Sequence, residues 1–537
     1  MVLRAAVSGL TLLALLPITA GPSATDYTVV AADGVAASDV TAAVRSAGGR
    51  IVSRNDTAGV YRVTSADARF AAKATASAAL IGASERRAIA RVAVEPAGHT
   101  AGGTGGARGP EGLDPLDNRL WGLRMIRADQ ARKVHHPLAG VTVGVLDTGL
   151  DAGHPDLAPH FNRALSRNFA PDIAAVDGPC EVKSCLDPVG TDDGGHGTHV
   201  AGTIGAAADG FGLSGVAPGV SLVELKGGQD SGFFFLDSVV NALTYAGDAG
   251  IDVVNMSFYV DPWKYLCEAN PADSAKRQAE QRAILVGLDR ALEYAHRKGV
   301  TLISSLGNSH EDLGRPLTDR SSPNYGAEPY ERKIDNATCR TMPQEGPHVL
   351  NASSLGPSGR KAEYSNYGVE QISVAAPGGD LSDWYGTDKY QTTANEILSS
   401  YPKHVLQEQG MVDAEGRVTR AGDDSVVRHC SSGTCGYYMY AQGTSMASPH
   451  AAGVAALIVS RYGKADPARA GRTMDPDAVE RTLLRTAAQR PCPPGRVQSY
   501  QREGQPAEYD ARCEGGRGFN GFYGHGIVDA YAAVGGY

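Results

Sequence analysis

The sequence predicts an α/β protein: a doubly wound, mostly parallel sheet with helices on both faces, preceded by a small α+β unit. Three observations carry this. Continuous apolar runs recur at residues 141–146 (VTVGVL), 251–256 (IDVVNM) and 300–303. Segments of helical length and apolar spacing, 236–249 and 279–297, separate them. Ahead of both, residues 26–95 alternate short strand-like and helix-like stretches in a region without cysteine. Strands that are apolar on both faces and joined by helices form a parallel sheet covered on both sides.

The elements follow in chain order. A once-charged start and the apolar run LTLLALL (10–16), followed by small residues, have the shape of a secretory signal peptide over 1–24. That run is too short to span a bilayer and no later run reaches ~18 apolar residues, so no membrane anchor is expected. Residues 25–97 form the first folded unit. Strands are predicted at 27–31, 50–53, 60–64 and 89–94, with helices at 38–47 and 67–79. The order βαββαβ is ferredoxin-like. Residues 98–116 follow, opening on a glycine-rich stretch (GHTAGGTGGARGPEG, 98–112), and read as a flexible linker, open to proteolysis. Residues 117–537 read as one large domain, with a polar surface insertion at about 379–440.

Charge and cysteine content narrow the function. The chain carries −9 overall, with +2 on residues 1–116 and −11 on the remainder. An acidic surface is poorly suited to a phosphate backbone, so nucleic acid is excluded as the main partner. All eight cysteines follow residue 179, and an even count in an exported chain points to disulfides. Sequential pairing is expected: 180–185, 267–339, 430–435 and 492–513. None of the spacings is CxxC, which disfavours zinc or redox chemistry.

Three motifs stand out in the large domain: VLDTG (145–149), HGTHVAG (196–202) and GTSMASPH (443–450). Singly, each has a plain structural explanation as a turn former, a solvent-facing histidine or a helix cap. Together, in the order Asp, His, Ser, they match one of the known arrangements of the serine triad. The blocks LDTGLDAGHPDL (146–157), HGTHVAGTIG (196–205), GVAPG (215–219), NMS (255–257), GN (307–308), AAPG (375–378) and GTSMASPHAAG (443–453) resemble those of the subtilisin-like serine peptidases, in that family's order. The closing GHGIVDAYAAV (524–534) is similar to its C-terminal signature. The resemblance runs across signal, propeptide and catalytic domain.

That resemblance implies a secreted serine endopeptidase made as a self-processing zymogen, with residues 25–97 as its chaperone and inhibitor. Ser445 is the expected nucleophile, His199 its general base and Asp147 the group that orients the imidazole. The backbone N–H of Ser445 and the side chain of Asn308 are the expected oxyanion donors. The spacing of His196 and His199 (HxxH) lacks a nearby Cys or Glu at ligand spacing, so metal catalysis is disfavoured and no catalytic cofactor is expected. A structural calcium is implied at Asp156 and Asp209, with carbonyls near Phe211 and Leu213; the same acids also read as ordinary surface residues. Ser257, Phe258 and Tyr259 occupy the family's substrate-binding edge. Here Phe-Tyr-Val replaces the usual Leu-Gly-Gly, so the family's broad apolar preference is not carried over. The expected partners are a protein or peptide substrate and the chain's own propeptide, with the enzyme a monomer.

Overall fold

The computed structural model describes residues 24–86, 114–136, 140–174, 176–324, 328–467 and 471–536. The expected signal peptide up to residue 23, the strand at 89–94 and the linker up to residue 113 lie outside these.

The N-terminal unit has the βαββαβ order: β1 (Thr25–Ala31), α1 (Ala37–Ser46), β2 (Arg50–Asn55), β3 (Val60–Ser65), α2 (Phe70–Thr75) and β4 (Leu80–Glu85). Its sheet is antiparallel in the order β2-β3-β1-β4. The fourth strand of this sheet is residues 80–85. The expected helix over 67–79 shortens because the Ser77 hydroxyl accepts from the Ala79 N–H, closing a turn that competes with helix. Val29, Val40, Val63 and Phe70 form its small core.

In the large domain α3 (Trp121–Met125) and α4 (Ala128–Val134) precede β5 (Thr142–Asp147). The main chain then forms β6 (Arg167–Asn168), α5 (His196–Gly205), β7 (Ser221–Lys226), α6 (Leu236–Ala249) and β8 (Val253–Met256). Short pairs β9 (Leu266–Cys267) with β13 (Cys339–Arg340), and β11 (Leu317–Asp319) with β12 (Arg332–Ile334), flank α7 (Ala275–Arg297) and β10 (Thr301–Ser305). β14 (Val349–Leu355) and β15 (Val374–Pro377) complete a seven-stranded parallel sheet in the order β15-β14-β10-β8-β5-β7-β6. One face packs on α6 and α7, through Val239, Leu243, Leu288 and Leu292. The other packs on α5 and α9 (Thr444–Tyr462), through Val200, Ile204, Val454 and Ile458. The four disulfides pair as the sequential order suggests: 180–185, 267–339, 430–435 and 492–513.

The 379–440 insertion is not a polar surface excursion. It folds as β16 (Ile397–Ser400), α8 (Lys403–Glu408), β17 (Val426–Ser431) and β18 (Thr434–Ala441), an antiparallel sheet in the order β16-β18-β17. Tyr401, Val405, Leu406, Val426 and Tyr437 give it a core of its own. β16 is buried along its whole length, and the Ser399 hydroxyl donates to the His199 carbonyl of α5 at 2.7 Å. Polar composition concealed this, because two serines lie in the buried strand, and of these the Ser399 hydroxyl is satisfied by the His199 carbonyl.

Candidate active site

Parallel strands deliver their C-terminal ends to one edge of the sheet, and the candidate residues gather there. Asp147 ends β5 and is fully buried. Its Oδ1 accepts from the Thr148 N–H at 2.8 Å, and its carbonyl accepts from the Gly227 and Gly228 N–H groups. The side chain facing it is that of His196, whose Nδ1 donates to Asp147 Oδ1 at 2.7 Å.

His196 is the first residue of α5, and the helix start is fixed by an acid that the sequence reading did not single out. Asp192, fully buried, accepts from the Gly195 N–H and Thr148 hydroxyl with Oδ1, and from the Thr198 N–H and hydroxyl with Oδ2. It thereby satisfies donors that a helix N-terminus leaves open. Gly197 allows the close approach: a Cβ there would lie 3.0 Å from the Asp147 Cβ and would collide with the Gly149 carbonyl. Burial opposes charging of the His196 imidazole, but the adjacent Asp147 carboxylate outweighs it and holds the pKa above the ordinary value.

The expected general base, His199, does not meet Asp147. It stands one turn further along α5, 1% exposed, with Nε2 donating to the carbonyls of Ile397 at 3.1 Å and Met439 at 3.0 Å. Its Nδ1 is buried without a partner. Burial, reinforced by His196, pushes its pKa down to about 3, so it is a neutral strut between α5 and the insertion. The sequence held a signal for this. His196 follows two glycines at a helix start, whereas His199 opens the apolar run VAGTIG that belongs in a core.

Ser445 is the second residue of α9 and is half-buried. Its hydroxyl donates to the Ser257 carbonyl at 3.2 Å, and no hydrogen bond joins it to His196. Catalytic hydrogen bonds of this kind often tighten only when substrate is bound. Asn308, just beyond β10, accepts with Oδ1 from the Thr444 N–H at 2.8 Å and hydroxyl at 2.7 Å. The Thr444 hydroxyl in turn accepts from the Gly307 N–H. With Oδ1 pinned, the Asn308 Nδ2 faces outward. A Cβ on Gly443 would lie 3.4 Å from that Nδ2 and 3.6 Å from the Ser445 nitrogen, so both donors border one space that glycine leaves open.

The expected substrate residues separate. Ser257 is buried in a polar network, sharing a hydrogen bond with Ser448 and receiving one from the Asn255 amide. Phe258 is buried too, its ring stacked on Phe234 at 3.8 Å and 4°. Tyr259 is exposed.

The expected calcium ligands also separate. Asp156 is fully buried, and Oδ2 accepts from the Leu213 N–H at 3.0 Å. Burial pushes its pKa up to about 7. Asp209 is exposed and accepts from the Phe211 N–H. Of the carboxylate oxygens here, Asp156 Oδ1 and Asp114 Oδ2 are buried without a donor, and the Tyr438 hydroxyl from β18 lies against the Asp156 carboxyl. Carboxylate oxygens are the donor type that calcium takes. Elsewhere, carboxylates of Asp172, Glu181 and Asp230, and of Asp187, Asp193 and Asp230, converge around the buried Lys226, which pairs with Asp187 and Asp230.

A family model described as the Subtilase family (Peptidase S8) matches residues 139–526. Subtilisin DY of Bacillus licheniformis is 27% identical over 342 residues, spanning 64% of this chain and 85% of that one. Fervidolysin of Fervidobacterium pennivorans is 28% identical over 366 residues, spanning 66% of this chain and 39% of that one. Among solved structures, the fold is similar to the epidermin leader peptide processing serine protease EpiP of Staphylococcus aureus. The TM-score is 0.63 at 20% identity, over 95% of this chain and 98% of that one. No helix among the described residues is long and apolar enough to cross a membrane.

Proposed function

Since this chain belongs to the subtilase family of serine peptidases, we propose that Asp147, His196 and Ser445 form its triad and that it is exported as a zymogen which cleaves itself. The enzyme is a serine endopeptidase acting on protein or peptide substrates, and it uses no cofactor in the reaction. Ser445 attacks the scissile carbonyl while His196 takes the hydroxyl proton. Asp147 fixes the imidazole tautomer through Nδ1 and stabilises the cation. The tetrahedral oxyanion is received by Asn308 Nδ2 and the Ser445 N–H, at the start of a helix whose dipole favours negative charge. His196 then gives its proton to the leaving amine, and water releases the acyl-enzyme.

The observation that carries this reading is the 2.7 Å contact between His196 Nδ1 and the buried Asp147 carboxylate. A fluorophosphonate probe tests it. The mature enzyme should be labelled at Ser445, and the Ser445→Ala and His196→Ala chains should not. Full labelling of His196→Ala would overturn the assignment.

The zymogen reading rests on how the N-terminal unit sits. Its sheet covers α6 and α7: Val30 and Val60 join the core beneath those helices. Asn55 donates to Asn241 and Thr244, the Ser84 hydroxyl bonds Glu280, and Arg290 donates to the carbonyls of Ala31 and Ala58. A large parallel sheet has many non-local contacts and folds slowly, so a docked template of this kind assists it. Wild-type chain should shed a fragment ending near residues 95–120, and Ser445→Ala should stay full length. Equal processing of both would show that cleavage is not autocatalytic. Asp156 and Asp114 are the proposed holders of a structural calcium, which takes no part in the reaction.

A further inference from the structure

At the edge of the sheet remote from the triad, two imidazoles and two carboxylates come together. His296 lies in the last turn of α7, His348 immediately precedes β14, and Asp477 lies in the first turn of α10 (Pro476–Thr486). This is the edge where the parallel strands begin: α7 leads directly into β10, which runs away from it toward Asn308. The site is separate from the peptidase chemistry.

The two rings stack with centroids 3.7 Å apart and planes 5° from parallel. His296 Nε2 lies 2.9 Å from Asp477 Oδ1, and His348 Nε2 lies 3.4 Å from Glu293 Oε1. One ring nitrogen of each histidine and one Asp477 oxygen all fall within 4.8 Å of one another. Glu293 and His296 are three residues apart on α7 and so project from the same face. His348 holds this arrangement with a left-handed backbone, φ 62°, which is unfavourable for a residue with a Cβ.

Nitrogen and carboxylate donors in this ratio suit zinc and its neighbours, whereas calcium and magnesium take oxygen alone. Bonds of about 2.0–2.2 Å in a tetrahedron set the ligands roughly 3.3 Å apart. The 2.9 and 3.4 Å separations are of that size; because a metal lies in the plane of each imidazole that binds it, the two rings unstack by side-chain rotation when both take one ion, His348 being the more exposed and the freer to turn. The C-terminal end of α7 adds a partial negative charge that favours a cation. Arg297, the competing partner of Glu293 at 3.8 Å, is mostly exposed and can swing away.

We propose that His296, His348 and Asp477 bind a divalent transition metal of the zinc class, with Glu293 orienting His348, clamping the end of α7 to β14 and α10. The ligands come from three separate parts of the chain, so no spacing motif announces them.

The test uses the full chain carrying Ser445→Ala, to prevent autolysis, with zinc chloride as the probe. Calorimetry should show one saturable site per chain, and thermal unfolding should shift upward with zinc. Cobalt in place of zinc should give the visible absorption of a tetrahedral N/O site. Adding His296→Ala and His348→Ala together should weaken zinc binding by more than ~10-fold and abolish the cobalt bands. The unfolding temperature without metal serves as the check that this variant is folded. Absence of a saturable site, or unchanged affinity in the double variant, would overturn the proposal.

Discussion

Nδ1 of His196 and Oδ1 of Asp147 lie 2.7 Å apart at the junction of β5 and α5, where a strand end and a helix start converge. The carboxylate is fully buried, and the imidazole keeps a third of its side-chain surface exposed, 35%. One partner is thus held rigid and the other is left able to reach substrate.

The two histidines of HGTHVAG are expected to respond differently to substitution. His196→Ala should lower kcat on the order of 10^4–10^6-fold with little change in KM. His199→Gln should retain most of the turnover at 25 °C while lowering the unfolding temperature, because it disturbs the bonds to Ile397 and Met439. Steady-state kinetics beside thermal unfolding separates the two effects.

Activity should fall on the acid side as His196 becomes protonated. Because Asp147 holds that imidazole above its ordinary value, the acid limb of kcat/KM should lie above pH 6.5. Asp147→Asn should move the limb downward and cost roughly 10^4-fold in kcat. A pH–rate profile on a neutral peptide substrate reads both.

Asn308→Ala should reduce kcat by about 10^2–10^3-fold without a matching change in KM, since its amide acts on the developing oxyanion. Thr444→Val removes the hydroxyl that orients Asn308, and a smaller loss, ~10-fold, is expected. Single-turnover kinetics distinguish the loss from slowed product release.

Arg290 secures the N-terminal unit through two carbonyls and an ion pair with Asp33. Arg290→Ala should weaken inhibition of the mature enzyme by the separately added 25–97 segment by ~10–100-fold, the range expected for charged hydrogen bonds of ~1.5–3 kcal/mol. An inhibition constant measured on both enzymes checks this.

His199 makes acid stability a further readout. Its pKa is lowered to about 3 in the fold, so the neutral ring's contribution is full above the unfolded value near 6.5 and is lost as pH falls toward 3. Urea unfolding from pH 7 to pH 4 should therefore show a shallower decline in His199→Gln than in its parent, both carrying Ser445→Ala.

The sequence made the parallel sheet, the βαββαβ order, the disulfide pairing and the positions of Asp147 and Asn308 at strand ends and of Ser445 at a helix start legible, because apolar runs and motif order express local physics. The choice between His196 and His199 was not settled by the motif, since it turns on which face of α5 the insertion covers. Phe258 was read as a pocket residue, and its burial depends on Phe234, a partner from another segment. Asp192 was overlooked because its role, satisfying four donors at one helix start, exists only once Thr148 and α5 are adjacent. The second helix of the N-terminal unit was drawn too long, over 67–79, because alanine-rich sequence supports a longer helix than the Ser77 turn permits.

The two carbonyls that receive the His199 proton belong to β16 and β18, neighbours in the insertion's sheet. The helix that presents the proposed general base and the inserted subdomain therefore share a hinge pin. Amide protons of the two regions should exchange with solvent in the same opening event. Excising residues 379–441 from an engineered version would strip the backing from α5 and open to water an imidazole that the fold keeps neutral.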